Sequence, residues 1–390
     1  MNILHIIASV NPVDGGPIEG IVQQSRHVGH ERHIACLDEP GAPFLLDCGV
    51  KVFALGKTRG AAWRRQPWIR YGYSPYLLPW LRKNIRQYDV VVVNGLWNYA
   101  AFAARRALVG SGVPYVVFTH GMLDPWFKRV YPVKSVAKQI SWWFCEGPLL
   151  RHANKVLFTT QEEMALARNS FWPYELREKV VSYGTADIQG EPDRQRRKFH
   201  ALVPRLRQRS YFLFLSRIHP KKGCDLLIEA FVEVARLNED TDLVIAGPDQ
   251  VGWRNKLEAR AQALGVSERI HWPGMLVGEA KWGALRDAEA LVLPSHQENF
   301  GIVVAEAMAA GKPVLITDKV NIWQEVASSG SGLVESDDAE GILRLFKRYL
   351  ALSPADRVAM GAQARSTFLE RFEVKKAVAS IDLALMEASQ

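Results

Sequence analysis

The order of apolar runs along this 390-residue chain predicts an α/β protein made of two doubly wound, Rossmann-like domains. Three observations carry the prediction. Short β-branched runs alternate with longer segments of helical period, which implies parallel sheets flanked by helices. The runs are almost wholly apolar, as strands covered on both faces must be. The series breaks only once, in a polar stretch near the middle, so the chain divides into halves of ordinary domain size.

The first half opens with "NILHIIA", a short run without a basic flank or cleavage site, which reads as a strand rather than a signal peptide. "NPVDGGPIEG" follows, and its Gly15-Gly16 pair marks a tight turn. The runs "DVVVVN", "PYVVFTH" and "KVLFTT" come next, placing Asn94 and His120 at strand ends. From Gly184 to Ser210 the chain reads "GTADIQGEPDRQRRKFHALVPRLRQRS", polar and very basic, and is read as the join. The second half supplies "YFLFLS", "DLVIAG", "RIHWPG", "EALVLPS" and "KPVLITD". Between the first two of these lies a helical segment with Leu226, Leu227, Ala230, Phe231 and Val234 on one face. The expected division is 1–190, a basic connector 191–209, 210–372, and a C-terminal helix 373–390 packing back on the first domain. Ligands of such folds lie beyond the carboxyl ends of the strands, so two domains facing each other would share one cleft.

Hydrophobic residues make up 48% of the chain and charged residues 23%, which excludes a disordered chain. The net charge of +8 points to an anionic partner without choosing among nucleotide, nucleic acid and lipid. Cys36, Cys48, Cys145 and Cys224 form no metal-ligand spacing and read as free thiols of a reducing compartment. No run approaches the ~20 apolar residues that span a bilayer. A cytoplasmic protein is expected, either free or peripheral on the inner face of the membrane.

The segment "HQENFGIVVAEAMAAGKPV" holds Glu298 before a helix and Glu306 inside it. Residues 299–301 are expected to form the first turn of that helix, where unpaired N–H groups and the dipole seat an anion. Gly301 lets a ligand approach the backbone. Eight helical positions span about 12 Å, which suits a ligand with two hydroxyl clusters and a phosphate between them. An isolated pair of this kind would be a cap and a solvated acid; the strand–loop–helix context and the Phe-Gly after the first acid favour a ligand.

This block resembles the donor-binding signature of the retaining family 4 glycosyltransferases, whose fold is GT-B. The resemblance implies that Glu306 holds the nucleotide ribose, and that Glu298 with Asn299, Phe300 and Gly301 contacts the transferred sugar. "LFLSRIHPKKGCDLLIEAF" is similar to the family's diphosphate clamp and implies Arg217 and Lys222 as its cations. Gly15 and Gly16 resemble the family's glycine loop beside the donor phosphates, and "THG" its cleft histidine, here His120. Pro273 and Met275 flank the expected base position. The loop "SYGTAD" departs from the Asn-Gly found in many relatives, and the connector is more basic than the pattern requires.

From Arg59 to Gln87 the chain carries seven arginines or lysines and no acids, with Trp63, Trp68, Tyr71, Tyr73, Tyr76 and Trp80 interleaved. A second cluster, 124–144, repeats the mixture. Three readings stand open: an anionic membrane surface, single-stranded nucleic acid, or internal packing of the rings under a solvated basic face. No nucleic-acid module is recognisable, so nucleic acid is not expected as a partner.

The function expected is hexose transfer, with retention and without a metal or other cofactor, from a nucleoside-diphosphate sugar. GDP-mannose is slightly favoured as donor, and the acceptor is a glycan or lipid-linked oligosaccharide of polysaccharide biosynthesis. His120, Arg217, Lys222 and Glu298 are the expected catalytic residues. The alternatives are a non-catalytic nucleotide-sugar or nucleic-acid binding protein and a sugar-nucleotide epimerase.

Overall fold

A computed structural model describes residues 1–12, 16–26, 29–45, 48–57, 71–130, 132–206 and 209–390. Gly15, Trp63 and Trp68 lie outside the described residues. The chain forms two compact units, one of residues 1–183 with 374–390, the other of residues 184–373.

The first unit is built on a seven-stranded parallel sheet in the order β3-β2-β1-β4-β5-β6-β7. The strands are β1 (Asn2–Ile6), β2 (Glu31–Cys36), β3 (Lys51–Ala54), β4 (Val90–Asn94), β5 (Tyr115–Phe118), β6 (Lys155–Phe158) and β7 (Glu178–Val180). Successive residues of β1 and β4 enter cores on opposite faces of the sheet, which is why these strands read as unbroken apolar runs. Leu4, Ile6, Val91 and Val93 join one core. Ile3, Val90 and Val92 join the other, which is closed by Ile381, Ala384 and Leu385 of the helix Val374–Ser389. The same helix supplies Asp382, whose carboxylate accepts from the fully buried Arg32 guanidinium of β2.

The second unit carries a six-stranded parallel sheet in the order β10-β9-β8-β11-β12-β13. Its strands are β8 (Ser210–Leu215), β9 (Thr241–Ala246), β10 (Ile270–Gly274), β11 (Ala290–Leu293), β12 (Val314–Thr317) and β13 (Gly332–Glu335). In each sheet the winding reverses at one place, between β1 and β4 and between β8 and β11. Such a reversal leaves a crevice beyond the strand ends, because consecutive connections leave in opposite directions.

The basic stretch expected to be a plain connector carries the helix Pro192–His200. This helix packs so closely on the helix Gly278–Asp287 that a Cβ at Gly283 would lie 2.1 Å from the Gln195 carbonyl oxygen. Its cations are engaged there: Arg196 pairs with Asp287 at 2.6 Å and Arg194 with Glu279 at 3.0 Å. The charge that looked like an open field in the sequence is therefore partly neutralised within the unit. All four cysteines are free and buried.

Of the described aromatic residues in 59–87, Trp80 packs on Phe53 with ring centroids 4.6 Å apart, and Tyr71 packs edge-on against Tyr99. Tyr73 and Tyr76 are exposed.

Candidate functional site

The second unit gathers its candidate residues at the β8/β11 reversal. After β8 the chain passes Arg217 and enters a 3-10 turn, Pro220–Lys222, then the helix Cys224–Leu237. The hinge between turn and helix is Gly223, at φ +65°, where a Cβ would meet the Pro294 carbonyl oxygen at 2.2 Å. Pro294 immediately follows β11, so the two loops touch backbone to backbone. The His296 N–H donates to the Lys221 carbonyl at 2.9 Å and reinforces that contact.

The second loop is held from the other side by β12. Glu298 forms an isolated parallel bridge with Val320, its N–H donating to the Lys319 carbonyl at 2.9 Å. The helix then starts at Ile302, not at residue 299 as expected. Gly301 is its N-cap at φ +73°, a left-handed conformation that no right-handed helical turn contains. Residues 299–301 thus precede the helix, and the first-turn N–H groups belong to the residues after them.

Lys222 and Glu298 are brought together directly: the Lys222 ammonium donates to Oε2 of Glu298. Lys222 is only 5% exposed, so its ammonium sits below the surface, while the Glu298 side chain keeps 22% exposure. Arg217, by contrast, is exposed, with a long 3.4 Å contact to Gln250. His219 lies among these cations. Burial lowers its pKa first, and Arg217, Lys221 and Lys222 lower it further. The imidazole therefore stays neutral, and its Nδ1 accepts from the Lys221 N–H at 3.1 Å. Three cations around a neutral histidine at a helix start form a site of positive potential suited to a polyanion.

Glu306 is 8% exposed, which excludes the solvated-acid reading. Lys281 donates to its Oε1 at 2.6 Å. Phe300 is buried, edge-on to Phe372 at 5.6 Å. Lys281, Lys221 and His219 escaped the sequence reading. The first comes from a remote helix with no motif, whereas Lys221 and His219 sit inside the quoted clamp and had a positional signal. Met275 is exposed in the turn after β10.

In the first unit His120 follows β5 with φ +49°, an unusual backbone for a residue with a Cβ. Glu163, buried, fixes that turn by accepting from Thr119 Oγ1 at 2.8 Å and from the Gly121 N–H at 2.7 Å. The ring stacks on Phe118 at 4.2 Å. Asn94, at the end of β4, donates through Nδ2 to the Val92 carbonyl at 3.2 Å, which leaves its Oδ1 to accept from His120 Nε2 at 3.1 Å. This network assigns the proton to Nε2 and leaves Nδ1 as an acceptor. Burial holds the imidazole pKa down at about 3. Gly16 begins the helix Gly16–Ser25 after β1. Among the described residues no group of three potential metal ligands occurs.

Two family models match the chain: Glycosyl transferase 4-like domain over residues 18–184 and Glycosyl transferases group 1 over residues 196–367. The chain is a glycosyltransferase of the family 4 type. The solved structures this glycosyltransferase resembles agree on the GT-B fold. Anabaena Alr3699/HepE, solved with UDP and glucose, superposes with a TM-score of 0.77 over 99% of both chains at 17% identity. WaaG, a glycosyltransferase of lipopolysaccharide biosynthesis, gives a TM-score of 0.69 over 98% of this chain and 99% of its own at 19% identity. Among curated relatives, the lipopolysaccharide core mannosyltransferase LpcC of Rhizobium leguminosarum bv. viciae is 28% identical over 42% of this chain and 47% of its own length. The phosphatidyl-myo-inositol mannosyltransferase of Mycobacterium leprae is 38% identical over 27% of this chain and 28% of its own. The chain thus spans less than half the length of these curated relatives.

Proposed function

We propose that this glycosyltransferase moves a hexose, with retention, from a nucleoside-diphosphate sugar to a hydroxyl of a glycan or lipid-linked acceptor in polysaccharide biosynthesis. Residues 210–372 hold the donor and residues 1–190 the acceptor. The observation that carries the reading is the meeting of two loops at the β8/β11 reversal, where Lys222 contacts Glu298 beside the cations around His219.

In this reading Arg217 and Lys222 take the diphosphate, helped by the N–H groups at the start of the helix Ile302–Ala309. Glu306 accepts from ribose hydroxyls through Oε2 while Lys281 keeps Oε1. Glu298, released from Lys222 as the phosphates bind, turns to the sugar hydroxyls with the backbone of Asn299, Phe300 and Gly301. His120, neutral and with Nδ1 as acceptor, holds a sugar hydroxyl as positive charge develops at the anomeric carbon. The departing diphosphate takes the acceptor proton on the same face. The cations do the charge-neutralising work without a metal ion. By the family resemblance, Gly15 and Gly16, which follow β1 in the sequence, are assigned to the donor phosphates. A mannosyl donor carried on GDP is favoured slightly, because mannosyltransferases stand among the relatives; a UDP-sugar is the next choice.

The test is nucleoside-diphosphate release with donor and acceptor present. Arg217→Ala and Lys222→Ala are each expected to lower kcat by about 10²-fold or more, the usual cost of removing a preorganised stabiliser of developing charge. Turnover unchanged in both variants removes the proposal.

A further inference from the structure

A cavity of about 290 Å³ opens in the first unit, two residues past His120. Met122, Phe127 and Phe171 line it together with Lys128, Lys134 and Lys138. Met122 ties it to the strand ends: its sulfur accepts from the Leu96 N–H at 3.0 Å, just beyond β4. Asp124 also lines the cavity, but one carboxylate oxygen accepts from the Trp126 N–H at 2.7 Å. Lys138 stands over the Trp97 and Phe127 rings at 4.7 and 5.1 Å. Burial lowers its pKa, the neighbouring Glu146 opposes this, and Lys134 adds to it. A half-buried cation beside a second cation gains from an anion.

The helix Pro132–Ser141, which supplies Lys134 and Lys138, has no buried residue. Its outer side presents Val133, 83% exposed, with Val136 and Ile140. A π-helical turn, Trp142–Glu146, then carries Trp142 into the core and leaves Trp143 and Phe144 outside, the latter 70% exposed. Trp172 is 73% exposed although its backbone is fixed. Its carbonyl accepts from Gln139 Nε2 at 2.6 Å and Trp143 Nε1 at 2.9 Å, and its N–H donates to Gln139 Oε1 at 3.2 Å. These bonds fix the Trp143 side chain and the Trp172 backbone at the surface. Scattered exposed apolar residues are ordinary on a soluble surface, but a contiguous helix face of them marks an interaction site. Residues 125–145 contain Lys128, Arg129, Lys134 and Lys138 and no acid, so the surface that completes this face is anionic.

We propose that the helix Pro132–Ser141 seats the enzyme on an anionic bilayer, with its Val133–Val136–Ile140 face in the interface and the lysine-lined cavity behind it receiving a lipid phosphate. This rests on the acceptor reading of the first unit, since the cavity-lining Met122 follows His120 by two residues, and it narrows the acceptor to an amphiphile with an anionic head. The rings of 124–144 thereby divide: Trp142 packs internally, while Trp143 and Phe144 meet the membrane.

Flotation of the full chain with phosphatidylglycerol-containing vesicles and with pure phosphatidylcholine vesicles tests it, without any donor sugar. Binding is expected to the anionic vesicles only. The pair Val136→Asp with Ile140→Asp, at exposed positions, should abolish it. Lys134→Gln with Lys138→Gln should weaken partitioning about thirtyfold, at about fivefold for each lysine. A wild-type chain that ignores anionic vesicles, or one indifferent to the Val136 and Ile140 changes, overturns the proposal and leaves a protein partner as the occupant. Full binding by the lysine variant overturns the part played by the cavity. A melting shift with nucleoside diphosphate, read on the same samples, reports on the second unit. A chain that shifts with nucleotide yet ignores vesicles sinks this proposal and leaves sugar transfer standing.

Discussion

Lysine and glutamate in contact inside a protein cost desolvation energy that their attraction only partly repays. Lys222 with Glu298 and Lys281 with Glu306 share this cost in part, since Lys222 and Glu306 are buried while Glu298 and Lys281 stay 22% and 25% exposed, and both pairs belong to the proposed donor site. A diphosphate that displaces Glu298 from Lys222 replaces one charge-assisted contact with another, which keeps the exchange reversible. Glu306→Gln retains the shape but removes the charge that the proposed ribose contact uses. Hydrogen bonds to charged groups are worth about 1.5–3 kcal/mol, so nucleotide Kd should rise by about ten- to hundredfold in calorimetric titration. At the other proposed site, His120 makes a pH prediction. Its folded pKa of about 3 lies below the ordinary 6.5, so between these values the unfolded chain binds more protons. Stability from this group is complete above pH 6.5 and is lost as the pH falls toward 3, by up to about 1.4 kcal/mol per unit. His5, lowered by burial, by Arg32 and by His120, acts in the same direction. Urea midpoints at pH 7 and pH 5 should differ, and His120→Gln should reduce the difference.

At the scale of elements, two glycines set the shape of the proposed donor site for different reasons. Gly301 needs its positive φ, and a Cβ there would meet only side-chain carbons at 3.2–3.3 Å, which can move by tenths of an ångström. Gly223 needs a positive φ as well, but its Cβ would strike a backbone carbonyl at 2.2 Å. Gly301→Ala is therefore expected to cost about 1–2 kcal/mol of stability, and Gly223→Ala distinctly more, with the β8 and β11 loops forced apart. Chemical denaturation of the two variants checks the order. Elements also show where the sequence was legible. β1, β4, β5 and β6 stand out because both faces are buried, and so do β8, β9, β11 and β12, while the edge strand β10 was legible with only its first two residues buried. β2, β3, β7 and β13 did not. β3, β7 and β13 all lie at sheet edges, so their residues are only partly buried. β2 is interior, yet it carries the buried Arg32 between Glu31 and His33, which breaks the apolar run. Its polarity makes sense only once Asp382 is beside it.

That pairing belongs to the whole molecule. The chain leaves the first unit at residue 183 and returns at Val374, so the first unit is completed by the last seventeen residues. Arg32 is held low in pKa by burial, and Asp382 counters this. Asp382→Ala strands a buried guanidinium, a loss worth about 3–5 kcal/mol. The prediction is an early unfolding step confined to the first unit, with nucleotide still protecting the second in thermal melts.

The sequence by itself determined the two parallel sheets, the reversal loops and the family resemblance of the block 296–314, because each is written in local periodicity or in residues within one strand–loop–helix unit. Tertiary structure alone decided which charges meet. Lys281 with Glu306, Asp382 with Arg32, and Asn94 with His120 are far apart along the chain, and burial rather than spacing selects their partners. It also decided which rings of 124–144 face out, since a π-helical turn changes the helical phase and no sequence pattern announces it.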